Sequence, residues 1–196
     1  MRVGLGVALL AVSAQMLFNV GIVPVTVQSL VIFVVLLVLE PGEATGVIGV
    51  YLLIGLMGLP VGAGFNGGVG WLLGPTGGFL IGFYIAALVN VAIKAAIRKA
   101  SSGFALKQGS ATEASGDSER KTTQIPFDIF ICVVTMLVYY GFGAVWLMLQ
   151  TDATFSTVLG IAVLPFIVPD AIKLVIAVVC AQALRPVLSE LSQNQR

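Results

Sequence analysis

In the run Pro165-Phe166-Ile167-Val168-Pro169-Asp170-Ala171-Ile172-Lys173-Leu174, an acid and a base stand three residues apart inside an otherwise apolar stretch. A lysine at the centre of a membrane helix costs about 2.5–3.5 kcal/mol on insertion scales, so it calls for a partner, a wet cavity or an interface within reach. Asp170 answers that need, because residues three apart share a helix face. Pro169 suits a first helical position, which predicts Asp170 in the first turn and Lys173 one turn on. Two readings follow. Either the pair faces a polar ligand, or Asp170 complements the helix dipole while Lys173 stretches toward the headgroups. The first is recognition and the second purely structural, and neither is catalysis: the chain has no His, no clustered carboxylates and no metal-ligand spacing. No G-x-x-x-x-G-K-[ST] motif occurs, so energy from ATP would have to come from another chain.

A second candidate is the stretch from Gly58 to Gly78, GLPVGAGFNGGVGWLLGPTGG, too glycine-rich for a continuous helix. At membrane depth such backbone persists only where protein buries it or water bathes it, so it is expected either to fold inward over a cavity or to make a tight interfacial turn. A third is Val23-Pro24-Val25-Thr26-Val27-Gln28, whose polar residues open an apolar run. Gln28, Asn66, Thr76, Asp170 and Lys173 fall on segments assigned to one side of the membrane, as the few polar groups of a mostly apolar pocket should. Trp71 and Phe79 could add ring faces to that pocket or serve as belt and core aromatics.

The elements that must position these groups are membrane helices. The chain is 58% hydrophobic and 10% charged, against roughly 25% charged for a soluble domain. Its net charge of +1 carries little information, and nothing in it suggests nucleic acid. Cys132 and Cys180 both sit in apolar runs, where a thiol behaves as a small hydrophobe. Apolar runs near 3–23, 25–39, 44–60, 77–97, 126–149 and 158–184 predict an all-α integral membrane protein of six transmembrane helices, a single membrane domain over 1–196. Residues 99–125, rich in Ser, Thr, Gly, Glu and Lys, read as a flexible cytoplasmic linker between the fourth and fifth spans.

Six of the ten basic residues (Lys94, Arg98, Lys99, Lys107, Arg120, Lys121) flank or occupy that connection, and Arg2, Arg185 and Arg196 lie at the ends. The connections assigned outside, 24–28, 61–76 and 150–157, contain no Lys or Arg. The bias predicts six spans with both termini cytoplasmic, in a multi-pass protein of the cell membrane. Lys173 is the one cation that reads as lying well inside a span. In the first span Gly4, Ala8 and Ala11 have the small-residue spacing that lets membrane helices approach, read from spacing alone as internal packing.

Pro24-x-Thr26-x-Gln28, Gly58-Leu59-Pro60-Val61, Asn66-Gly67-Gly68, Gly74-Pro75-Thr76-Gly77-Gly78, and Pro165-Phe166 followed by Asp170-x-x-Lys173 occur in this order. In these motifs the chain resembles the BioY family, the biotin-binding S components of energy-coupling-factor transporters. The resemblance implies a six-helix S component that captures biotin at its outer face, embedded in membrane lipid and docked on a transmembrane coupling subunit with two ATPase subunits; it implies no cofactor. It would place Asn66, Asp170 and Lys173 among the polar ligand contacts, with Gln28, Thr76 and Phe79 shaping the pocket and Gly4, Ala8 and Ala11 at the coupling interface. The chain departs from the family pattern at Pro169, where Gly is common, and at Phe79, where Tyr is common. Biotin's ureido ring needs donors and acceptors, its thioether ring apolar walls, and its carboxylate a cation or amide donors. Lys173 could serve the ureido oxygen or the carboxylate. The alternatives are a BioY-like transporter working alone or as an oligomer, and a passive small-solute channel.

Overall fold

The computed structural model describes residues 2–20, 23–105 and 117–193. In chain order the elements are α1 (Arg2–Gln15), β1 (Leu17–Val20), β2 (Val23–Thr26), α2 (Gln28–Val38), α3 (Pro41–Leu56), a 3-10 turn (Ala63–Phe65), α4 (Val69–Leu73), α5 (Gly77–Ala105), α6 (Asp117–Thr151), α7 (Phe155–Ala162) and α8 (Leu164–Gln193). Segments Gly77–Lys99, Gln124–Thr151 and Leu164–Leu188 are helices long and apolar enough to cross a membrane, while α1, α2 and α3 are shorter apolar helices. The chain is a helical membrane protein.

Two expectations need correction. The first span does not run helical to residue 23: α1 stops at Gln15 and gives way to the antiparallel pair β1–β2, in which Leu17 faces Thr26 and Val20 faces Val23. An apolar run rich in β-branched residues suits strand as well as helix, and Pro24 has no N–H with which to continue a helix. The sixth run is broken at Val163, whose φ of −124° ends α7, and Pro165 rather than Pro169 occupies the start of α8. Asp170 therefore lies beyond the first turn. Of the connection read as a linker over 99–125, the centre, 106–116, lies outside the described residues, between the end of α5 at Ala105 and the start of α6 at Asp117.

Local sequence accounts for the element ends. Pro41 opens α3 and Glu43 follows in its first turn, where a carboxylate meets the positive end of the helix dipole. α5 and α6 approach closely because Gly78, Gly82 and Gly143 leave no room for a Cβ against Trp146, Tyr139 and Phe79 respectively. On α1 it is Gly6, packed on Val47 of α3, that makes the close approach; Gly4 and Ala8 face outward and Ala11 is half-buried, so the internal packing read from that spacing is not what the stripe does.

The C-terminal end of α2 is held by two cations. Lys94 of α5 donates to the Leu36 carbonyl at 2.6 Å and Arg185 of α8 to the Leu37 carbonyl at 3.0 Å, satisfying groups a helix end leaves unpaired. Arg185 also holds the buried Asp128 of α6 through two parallel 2.7 Å bonds. Lys94, read as an edge residue, is thus half-buried within a spanning helix, and Lys173 is not alone there.

Candidate functional site

At the end of the bundle where α2, α5 and α8 begin, a hollow of about 620 Å³, counting its open mouth, lies among these helices and α6. Its walls include Gln28, Thr76, Phe79, Asp170 and Lys173, so five of the six ligand residues expected from sequence meet there, together with Trp71. The sixth, Asn66, does not line it: the side chain is exposed and donates to the Ala63 carbonyl at 2.7 Å. Tyr139, Tyr140, Ser29 and Phe83 line the hollow and were not anticipated.

The charged centre is closely knit. Asp170, 3% exposed, accepts at Oδ1 from Lys173 Nζ (2.7 Å) and Ser29 Oγ (3.0 Å), and at Oδ2 from Tyr140 Oη (2.7 Å) and Tyr139 Oη. All four acceptor positions of the carboxylate are filled by protein donors. Lys173 also donates to Ser29 Oγ at 3.0 Å, which uses two of its three N–H bonds among the described residues. The acid therefore orients and neutralises, and the ammonium keeps one donor for a guest.

Gln28, the first residue of α2, is 4% exposed, and its Nε2 completes no hydrogen bond of good geometry among the described residues, with the Tyr51 hydroxyl as a polar neighbour. A buried amide donor left unpaired costs about 1–3 kcal/mol, which a ligand acceptor would recover. The hydroxyls of Thr26 and Thr76 stand on the same walls. Helix N-termini add their positive dipole ends here, since α2 starts at Gln28 and α5 directly after Thr76. The polar inventory is thus weighted toward donors, on apolar walls of Phe79, Phe83, Phe166 and Trp71.

Packing fixes these rings. Phe83 and Tyr139 stand 4.8 Å apart between centroids, and Tyr139 and Tyr140 4.6 Å. Phe79 is wedged against Gly143, and it brings no hydroxyl. Trp71 closes over Gly55 and Gly62, where a side chain would collide with the indole. The glycine-rich stretch folds inward as short turns: Gly58, Gly64 and Gly68 take positive φ, and Gly68 N bonds Gly55 O at 2.7 Å. Gln15 at the end of α1 ties it down, donating to the Gly62 carbonyl at 2.9 Å and accepting from Phe65 N at 2.9 Å. On the other flank Trp146 Nε1 donates to the Gly74 carbonyl at 3.0 Å and anchors the turn that presents Thr76. No cluster of metal-ligating side chains occurs among the described residues.

Comparison with known proteins places the arrangement. The sequence model of the BioY family matches residues 1–190. A protein of Pyrococcus horikoshii named "Probable biotin transporter BioY" is 34% identical over 185 residues, 93% of each chain. The biotin transporter BioY2 of Lactococcus lactis is 31% identical over 187 residues, 95% of this chain and 90% of that one. Among solved structures, one described as the S-component for biotin from an ECF-type ABC transporter matches with a TM-score of 0.73 and 27% identity, over 94% of this chain and 89% of that chain.

Proposed function

This chain belongs to the BioY family, and on that premise we propose that it is a biotin-binding membrane subunit that captures biotin in the hollow from the outer face, for import energised by a separate coupling subunit and two ATPases. The observation that carries the reading is the pairing of Lys173 with Gln28: two donors not exhausted by the protein, on the walls of one apolar hollow. Biotin offers acceptors to match, in its ureido oxygen and its carboxylate, and a thioether ring for the aromatic walls. Its ureido N–H groups can bond Asp170 by displacing a tyrosine hydroxyl, which then turns to donate or accept elsewhere. The names of the relatives, transporters rather than enzymes, support the same reading.

The spans are six in this reading, the three shorter helices α1, α2 and α3 joining the three long ones, with both termini cytoplasmic in the cell membrane. The basic residues around the α5–α6 connection and the hollow at the opposite end of α5 support that orientation. Asn66, exposed here, would reach the ligand only if its loop moved inward, and Gly4, Ala8 and Ala11 would face the coupling subunit from the outward side of α1.

Calorimetry on the purified chain in nanodiscs, without ATP, tests the reading. One saturable biotin site is expected, and no heat of binding would end it. Unsaturable biotin flux through liposomes bearing the chain alone would point instead to a channel.

A further inference from the structure

Three charged residues stand at the hollow's end of the bundle: Asp152, Asp170 and Lys173. Between Arg2 and Lys94 the chain carries only Glu40 and Glu43, which lie at the opposite end beside Arg98 and Arg2, and between Asp128 and Arg185 it carries only those three. With no His anywhere, Lys173 is the one cation on the elements that border the hollow, however the glycine-rich stretch or the β1–β2 hairpin is arranged. That cation is already neutralised. Its Nζ lies 2.7 Å from Asp170 Oδ1, between side chains 13% and 4% exposed. Asp152 is exposed in the connection after α6, whose last turn is tied to the Leu73 carbonyl through Gln150, so this end holds two acids against one base. Such a balance gives an approaching anion no attraction.

Burial divides the hollow. Gln28, Ser29, Tyr139, Tyr140 and Asp170 are buried, whereas Thr26, Ala63, Trp71 and Thr76 are half-buried and uncharged. The closed part suits a neutral polar ring, which can meet the N–H that Lys173 keeps, the Gln28 amide and the tyrosine hydroxyls. A carboxylate placed there would add an uncompensated charge to a neutral ion pair, and stripping its water without a counter-ion is costly. At the mouth it stays hydrated beside two threonine hydroxyls, which serve an uncharged carbonyl as well as an anion. Resting on the reading of this hollow as a biotin site, we propose that it recognises the ureido ring and not the charge of the tail. Carboxyl amides of biotin, biotinyl-lysine among them, are then ligands of the chain as well as the free acid.

Calorimetry on the full chain in nanodiscs, titrated with biotin and separately with biotinamide, tests this, because the two differ at the tail alone. Biotinamide is expected to bind within about fivefold of biotin, the span that a solvent-exposed charge interaction covers. Lys173→Met should weaken both ligands by the same factor, to within about twofold. The comparison on the unaltered chain stands whatever that variant does to folding. Biotinamide weaker by more than the expected span, or a Lys173→Met chain that loses affinity for biotin and keeps it for biotinamide, would overturn the proposal while leaving the hollow a biotin site. Absence of binding by both ligands would overturn the biotin reading itself and the proposal with it.

Discussion

The hydroxyl of Tyr140 donates to the carboxylate of Asp170 at 2.7 Å, so an aromatic from the middle of α6 meets an acid on α8 inside the membrane. With Tyr139 on the same oxygen and Lys173 and Ser29 on the other, Asp170 is the hub on which α2, α6 and α8 converge at the hollow.

Removing only the acid should cost more than removing the pair. Asp170→Asn leaves the ammonium of Lys173, 13% exposed in its side chain, without a counter-ion, and such half-broken buried pairs lose about 3–5 kcal/mol. Asp170→Asn with Lys173→Met should recover much of the lost thermal stability in detergent, yet show no recovery of biotin affinity by calorimetry. Recovery of both would mean the ion pair is purely structural.

Lys173→Ala and Gln28→Leu are each expected to weaken biotin binding by about 1–3 kcal/mol, the usual loss for an unmatched buried polar contact. Asn66→Ala should change it far less, provided the bound state keeps the exposed loop arrangement seen here. A large loss with Asn66→Ala, measured by the same titration, would show that the loop closes inward over the ligand.

Gly143→Ala should push the Phe79 ring out of place and lower both melting temperature and affinity, at the about 1–3 kcal/mol typical of overpacking. Phe79→Leu in the same chain frees the space and should restore the melting temperature. If Gly143→Ala alone is neutral, α5 and α6 are less tightly apposed than described.

Two ion pairs near the end of the bundle opposite the hollow should respond differently. Asp128→Ala abandons Arg185 beside a buried position and is expected to cost about 3–5 kcal/mol. Glu40→Ala breaks a 3.8 Å contact with Arg98 between side chains 71% and 77% exposed, and should stay within about 1 kcal/mol. Thermal melts of the two variants side by side give the comparison.

Much of the hollow was readable from sequence because its polar members interrupt apolar runs, where each needs a reason to be present: Gln28, Thr76, Asp170 and Lys173 announce themselves this way. Tyr139 and Tyr140 went unread because a tyrosine blends into an apolar span by its ring, and only the geometry brings its hydroxyl to a buried acid. Ser29 is too small to stand out beside Gln28. Asn66 stands outside the hollow in this loop arrangement, which follows the positive φ of Gly64 and Phe65 just before it and which spacing does not encode. The β1–β2 hairpin was hidden for a different reason: hydropathy measures burial in lipid or protein and says little about which backbone shape accomplishes it.

The fastening of α2 at both of its ends constrains how the protein can move. Ser29 engages Asp170 and Lys173 at one end, and Arg185 grips the Leu37 carbonyl at the other, so both anchors belong to α8. Sliding α2 lengthwise against α8 would strain one anchor or the other, so this pair is built to travel as one rod. The same reasoning holds α6 to α8, through Tyr140 on Asp170 and Asp128 on Arg185, so opening or emptying the hollow falls to the glycine-rich stretch that Gln15 latches.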